Sequence, residues 1–586
     1  MSRAPVPRRQ KSLPATPLDE AIRSCRPYLR WAIFFSALVN LLFLTPTLYM
    51  MQVYDRVVPT AGLGTLGLLT GIAVFALACL AVLDWLRGRI LFRASIKLER
   101  LLSQPILERV IVARTERRPT EAGLRELDQV RACISGPGAL ALLDAPWTPL
   151  YLLVCFMLHP AIGLLTLVGG SGLILLALAN ERENRERLAR SINNNAAAYA
   201  AQDGIAARAE VVRALGMVAV TVRRQLMQRQ NAVRQSAVAQ LTAGVYSGWI
   251  RFVRLALQAA SLCLAAYLVV KGQISPGAII ASSILLSRAV APVEQLVGNW
   301  TALVQARTSW NALSDLFGNV GTENPHRTGL PRPEGRLQLR GVSLRVADSQ
   351  PPQLRNLNLV INPGEVVGVT GDSGSGKTSL ARVASGGIAP TIGEIRLGGA
   401  EYRARDGDEL AKFIGYLPQV PTLFPGTIRD NISRFAIAGA VTNAEIDQGV
   451  IDASIAAGCH EMILKLPNAY DTVLGLGGSG VSVGQSQRIA LARALYGAPA
   501  LLVLDEPNAN LDREGETALR TCLTKASGRG CAILLVAHTS RVLALADRIV
   551  VMKDGAIHSS EPRAKSLLGE PAPDDRTVSR SWEAAE

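Results

Sequence analysis

Hydrophobic and polar positions alternate along this chain on two different length scales. In the first half, long uncharged apolar runs are separated by Arg-rich polar segments; in the second, apolar runs of only four to six residues alternate with mixed stretches. Residues 31–51 and 57–83 carry no charge, and each is long enough to cross about 30 Å of hydrocarbon as a helix. Residues 145–180 are also uncharged but too long for one span. His159-Pro160 interrupts them, which predicts a tight pair of spans, the first starting just before Asp144. A fifth span is centred on 255–270, with Arg251 and Arg254 able to snorkel at its entry, and a sixth on 274–297, interrupted by Arg288 and Glu294. The pattern predicts six membrane spans.

The polar segments set orientation. Arg and Lys crowd the residues before the first span, the 84–140 segment and the 181–244 segment, whereas the other loops carry only Arg56, His159 and Lys271. The positive-inside bias therefore places both termini and both long segments in the cytoplasm. Those segments are rich in Ala, Leu, Arg and Glu, so spans two to five are expected to continue as helical stalks. Turns near 120–128 and 213–220 would form tips able to touch the downstream domain. Residues 1–28 are basic and Pro-rich and read as a disordered tail. The first apolar run is too long for the core of a cleavable signal.

Composition agrees with an apolar block joined to a globular one: 49% hydrophobic residues and a mean hydropathy of +0.23 beside 19% charged residues. The net charge of +15 follows the topology, so nucleic-acid binding is not needed to explain it. The eight cysteines form no close pairs, which excludes a disulfide framework and predicts reduced, mostly buried thiols.

The chemistry lies downstream. The expected organisation is a tail over 1–28, an all-α six-helix transmembrane domain with cytoplasmic extensions over 29–312, a linker over 313–335, an α/β P-loop nucleotide-binding domain over 336–560 and a flexible tail over 561–586. Within that domain EVVGVT (365–370) reads as a buried strand leading into Gly371-Asp-Ser-Gly-Ser-Gly376-Lys377-Thr378 and then a helix. Such a loop turns backbone N–H groups onto phosphates, with the helix dipole behind them. Gly371, Ser373, Gly374, Ser375, Gly376, Lys377, Thr378 and Ser379 are the candidate ATP contacts. Lys377 would reach the terminal phosphates and Thr378 would ligate Mg²⁺. A second buried strand, LLVL (501–504), ends in Asp505 and Glu506. Asp505 is the candidate metal group and Glu506 the candidate that orients or deprotonates water. A third strand, ILLVA (533–537), delivers His538 as either a phosphate sensor or a core histidine. Gln419, after the strand 414–417, either meets Mg²⁺ and the water or faces solvent.

The phosphate loop, Gln419, Val481-Ser-Val-Gly-Gln485, LLVLDEP, Asp512 and His538 follow one another as in ABC transporters, which the chain resembles. The resemblance implies a type I ABC exporter fold and head-to-tail pairing of nucleotide domains. In such a pair Ser482, Gly484 and Gln485 of one chain complete the ATP site of the other, with Val346 at the adenine and Asp512 among the nucleotide-binding residues. One nucleotide domain per chain implies a homodimer or a pair with a related chain. Residues 40–57 (NLLFLTPTLYMMQVYDRV), 143–150 (LDAPWTPL) and 505–512 (DEPNANLD) are similar to the permease/ATPase of type I protein secretion systems, in the alkaline-protease branch. That narrower likeness implies residence in the bacterial inner membrane amid membrane lipid. It also implies ATP-driven export of an unfolded polypeptide bearing a C-terminal signal, a periplasmic membrane fusion protein and an outer-membrane channel. A lipid or small-molecule exporter, or a weakly hydrolysing ATP-gated regulator, are the alternatives.

Three departures bear on the site. Val483 stands where the family has glycine; if that position needs a positive φ, a β-branched residue is costly there. No aromatic or histidine occurs between Gly335 and Gly371, so Val346 has no stacking ring beside it, and Asp372 brings an acidic side chain into the phosphate loop that is expected to point outward. In the membrane half Asp144 reads as a helix cap with Pro146 in the first turn, or else as a substrate contact. Tyr49, Tyr54 and Trp147 read as interface aromatics, and Arg288 and Glu294 as pathway residues.

Overall fold

The computed structural model describes residues 16–115, 122–206, 208–319, 330–345, 351–437, 442–509, 511 and 513–562. They divide into two units, meeting in sequence near residue 321.

The first unit is all helical: α1 (Pro17–Leu42), α2 (Thr45–Gln52), a π-helical turn (Val53–Val57), α3 (Val58–Thr60), α4 (Leu63–Thr115), α5 (Leu124–Ser135), α6 (Pro137–Asp144), a 3₁₀ turn (Ala145–Trp147), α7 (Thr148–Leu158), α8 (Pro160–Ala206), α9 (Ala209–Ala214), α10 (Val218–Val270), α11 (Gly277–Gly298) and α12 (Trp300–Asn319). Among the described residues, six helical stretches are long and apolar enough to span a membrane. His159 takes an extended conformation between α7 and α8, where the sequence places the break. The two 53-residue helices α4 and α10 would each measure about 80 Å, far more than a bilayer's hydrocarbon. Leu215, Gly216 and Met217 turn the chain between α9 and α10, inside the expected second tip. Part of the first tip falls outside the described residues.

Two expected boundaries move. The sequence suggests disorder up to residue 28, yet α1 begins at Pro17. Thr16 caps it in a reciprocal box with Asp19, and Pro17 occupies the first turn, where its missing N–H costs nothing. At the other end α12 continues to Asn319, past the expected linker start at 313. One apolar cluster explains both: Leu18 and Ala21 pack with Leu98, Leu102 and Ile106 of α4 and with Leu313, Leu316 and Phe317 of α12. The segments assigned to a tail and a linker bury one another, and that burial outweighs their local composition.

Asp144 is not a cap. It makes no capping hydrogen bond, but its carboxylate accepts from Ser36 Oγ and Asn40 Nδ2, each at 2.8 Å, and from the Arg87 guanidinium. Arg87 also donates to Asp84 at 2.7 Å, and Tyr151 donates to the Asn40 side chain at 2.9 Å. Glu294 pairs with Arg254 at 2.9 Å, and the Arg288 guanidinium lies 3.9 Å from the centre of the Phe43 ring. Tyr49 shares a hydrogen bond with Thr70 at 3.0 Å.

The second unit is α/β. Its strands are β1 (Leu337–Leu344), β2 (Leu354–Ile361), β3 (Val366–Gly371), β4 (Ile392–Leu397), β5 (Ala400–Glu401), β6 (Ile414–Leu417), β7 (Gly426–Thr427), β8 (Val473–Leu474), β9 (Leu501–Asp505), β10 (Ala532–Val536), β11 (Arg548–Lys553) and β12 (Ala556–Pro562). The helices are α13 (Lys377–Ala384), α14 (Gly407–Lys412), α15 (Ile428–Ile432), α16 (Asn443–Ala456), α17 (His460–Leu464), α18 (Val483–Leu495), α19 (Arg513–Gly528) and α20 (Ser540–Leu543). The main sheet runs β12-β11-β3-β10-β9-β6 and is parallel except for β12. A smaller antiparallel sheet runs β2-β1-β4-β5. Every residue of β9 and β10 is buried, because separate apolar clusters cover the two faces of the parallel sheet. Burial pushes the Cys459, Cys522 and Cys531 thiols up to about 12, as expected of inert core sulfurs.

Candidate functional site

The carboxyl ends of adjacent parallel strands form a crevice where α/β sheets hold ligands. β3, β10 and β9 are neighbours, so the loops after Gly371, Val536 and Asp505 leave from one edge. The phosphate loop follows β3 and ends at Gly376, the residue preceding the first turn of α13. Its glycines are required by geometry. Gly371 (φ +146°) and Gly376 (φ +100°) adopt angles that L side chains avoid, and a Cβ on Gly371 would lie 2.1 Å from the Met552 carbonyl oxygen. Asp372 is exposed, as its position in a backbone-binding loop predicts.

Lys377 is buried beneath this loop. Its Nζ donates to the Gly371 and Asp372 carbonyls at 2.8 and 2.7 Å. Burial lowers its ammonium below the ordinary lysine range, while Glu506, Asp372 and Asp505 pull it back up. Ser375 is buried too, and its hydroxyl reaches no partner. Ser379 donates to the Gln353 side chain at 2.9 Å. Gln353 was not legible as a site residue, since it stands 26 positions upstream and belongs to no local pattern.

Asp505 ends β9 fully buried, with neither carboxylate oxygen in hydrogen-bond geometry with a partner. Burial raises its carboxyl above the ordinary range; the Thr378 hydroxyl counters this, Glu506 adds to it, and Arg382 and Lys377 oppose it. An orphaned buried carboxylate beside a threonine hydroxyl suits a hard cation with oxygen ligands. The residues present therefore fit Mg²⁺.

Glu506 comes next in the chain and turns sharply, with φ +51° in the left-handed region. Such backbone costs a non-glycine residue about 1–3 kcal/mol and persists where surroundings enforce it. Its two carboxylate oxygens have separate partners: Gln419 Nε2 at 3.1 Å and His538 Nε2 at 3.1 Å. The strand ends of β6, β9 and β10 thus bring together three residues that the sequence could only nominate separately. The His538 side chain is 47% exposed, so its core-histidine reading falls; Gln419 is exposed, as its solvent-facing reading has it, and at the same time reaches Glu506.

Ser482 caps α18. It accepts from Gln485 N at 3.3 Å, and its own N–H donates to Gln485 Oε1 at 2.8 Å. Val483 is the first residue of this helix, and neither it nor Gly484 has a positive φ. The expected backbone cost at Val483 is therefore absent, because the capping box already sets a right-handed first turn. Val346 and Asp512 lie outside the described residues.

Residues 354–509 match the family model described as ABC transporter, and residues 130–293 that of the ABC transporter transmembrane region. The type I secretion system ATP-binding protein PrsD of Rhizobium meliloti (strain 1021) is 39% identical over 558 residues, covering 93% of both chains. The toxin RTX-I translocation ATP-binding protein of Actinobacillus pleuropneumoniae is 29% identical, covering 92% of this chain and 77% of that one. Among solved structures, a bacterial Atm1-family ABC exporter with ATP bound superposes with a TM-score of 0.77 at 20% identity, covering 93% of this chain and 96% of the other, a likeness of fold alone.

Proposed function

Because the chain belongs to the ABC transporter family, with a type I secretion protein among its relatives, we propose that it hydrolyses ATP to export an unfolded polypeptide across the bacterial inner membrane. The observation that carries the reaction is Glu506 held between Gln419 and His538, next to the orphaned carboxylate of Asp505. Lys377 and the loop N–H groups hold the phosphates. Thr378, Gln419 and Asp505 would hold Mg²⁺, which supplies charge neutralisation on the phosphate oxygens. Glu506 accepts a hydrogen bond from the attacking water and orients it; His538 fixes the opposite carboxylate oxygen and so the rotamer.

In this reading two copies pair, and Ser482, Gly484 and Gln485 of each complete the other's site. Of the loop residues read from sequence, Ser373, Gly374 and Gly376 act through backbone donors at the phosphates. Both termini face the cytoplasm, as the Arg distribution suggests. The exported protein carries a C-terminal signal, and a membrane fusion protein and an outer-membrane channel continue the path. The regulator alternative loses one of its motives, since Val483 imposes no backbone strain on α18.

The test is reconstitution in liposomes with a candidate exported polypeptide. Stimulated ATP turnover and crosslinking of that polypeptide to the membrane unit are expected. Stimulation by lipid or small hydrophobic molecules, with none by polypeptide, would overturn protein export as the function.

A further inference from the structure

We infer that Gln487 and the Asn508–Thr539 pair are positioning residues that hold Glu506 in its working orientation. Through Gln487, helix α18 is tied to the water-orienting carboxylate of its own chain. The inference rests on the role of Glu506 given above.

Local sequence does not dictate the Glu506 turn. Pro507 disfavours the right-handed helical region for the residue before it but leaves extended backbone open. The left-handed conformation (φ +51°) must therefore be held by contacts. On its N-terminal side, Glu506 N donates to the Val536 carbonyl of β10 at 2.9 Å. On its C-terminal side two side chains do the holding. Gln487 Nε2 donates to the Pro507 carbonyl at 3.2 Å, in a buried setting. Asn508 Nδ2 donates to Thr539 Oγ at 3.2 Å. Thr539 follows His538, so the second tie joins the two segments that carry the Glu506–His538 contact.

Gln487 is 1% exposed, and its Oε1 has no partner. A methionine of similar length would fill the same space without an orphaned oxygen, so the donor is what the amide contributes here. Gln487 also lies about one and a half turns from the Ser482 cap. A small displacement of the start of α18 would stretch its bond to Pro507 and loosen Glu506. The helix that completes a neighbouring ATP site would thus also set the readiness of its own.

The experiment uses the purified full-length chain, measuring steady-state ATP turnover and thermal unfolding. Gln487→Met and Thr539→Val are each expected to lower kcat about tenfold, the rate equivalent of one lost hydrogen bond, with KM for ATP and the unfolding temperature unchanged. Thr539→Ser keeps the hydroxyl and should stay within about twofold of the parent. In a Glu506→Gln background, Gln487→Met should cause no further fall, because the group it positions is already disabled. Parental kcat in Gln487→Met, an equal loss in Thr539→Ser and Thr539→Val, an additive loss in the Glu506→Gln background, or a parallel fall in unfolding temperature would each overturn the proposal. Parental turnover in Glu506→Gln alone would instead remove the reading on which it rests.

Discussion

Arg87 of α4 donates to the Asp144 carboxylate at the end of α6, 57 positions later, and only 4% of the Arg87 side chain is exposed. Ser36 and Asn40 of α1 complete the coordination of Asp144, so one polar knot joins three helical segments of the membrane unit.

Removing Asp144 leaves the buried Arg87 guanidinium, among the described residues, with only the half-exposed Asp84 as a carboxylate partner. Asp144→Ala is expected to destabilise the chain by about 3–5 kcal/mol. Adding Arg87→Met should recover part of that loss, since the buried charge that has lost its Asp144 partner goes too. Thermal unfolding in detergent checks this, and a double variant no more stable than Asp144→Ala would contradict it.

Glu506→Gln keeps the bulk but leaves one acceptor oxygen where the carboxylate offers two to Gln419 and His538, and weakens the acceptor proposed to orient water. ATP binding should persist while turnover falls about a hundredfold or more. Lys377→Ala removes the phosphate donor and should lose both. Binding measured with a fluorescent nucleotide separates the two; equal behaviour would reassign one of the residues.

Asp505 gives a pH prediction of definite sign. Its folded carboxyl is raised by burial, so the folded state holds a proton that the unfolded state has already released. Stability contributed by this group is therefore present at low pH and lost as pH climbs from the ordinary carboxylate range through the raised value. Asp505→Asn is expected to raise the unfolding temperature at neutral pH without metal or nucleotide, to remove this fall of stability with rising pH, and to abolish turnover. Unfolding followed from pH 4 to 8 decides it, and a lowered unfolding temperature would count against the burial argument.

Val483 begins α18 in right-handed backbone and is 62% exposed. Restoring glycine should leave turnover within about twofold and cost roughly 0.5–1 kcal/mol of stability, the ordinary price of glycine in a helix. A several-fold rise in turnover would show that the valine side chain obstructs the composite site.

With no aromatic ring or histidine between Gly335 and Gly371, the base lacks a stacking partner there, a contact of about 1–3 kcal/mol elsewhere. GTP is expected to support turnover with a KM within about fivefold of that for ATP. Parallel steady-state assays test it, and strong ATP preference would mean that polar contacts read the base.

The features legible in the chain were those written in short stretches. Run length and the absence of charge mark the spans, because hydrocarbon thickness is a fixed ruler. The Gly371–Thr378 loop declares itself because only glycine tolerates φ near +100° at Gly376. Cap chemistry at Ser482 and Gln485 is equally local, and it sets the right-handed backbone of Val483. The start of α1 at Pro17 is not legible for a different reason: Thr16 and Asp19 signal a cap, but the burial of Leu18 against α4 and α12 has no local trace.

What sequence alone determined is therefore the inventory: six spans, one phosphate loop, an acidic pair after a buried strand and a histidine after another. Tertiary structure decided the pairings. Asp144 became the partner of Arg87 rather than a cap, Glu506 was turned left-handed between Gln419 and His538, and Gln487 was brought to the Pro507 carbonyl. A hydrogen bond needs its atoms within about 3 Å and aligned, and for residues tens of positions apart only the packing of whole elements sets that distance.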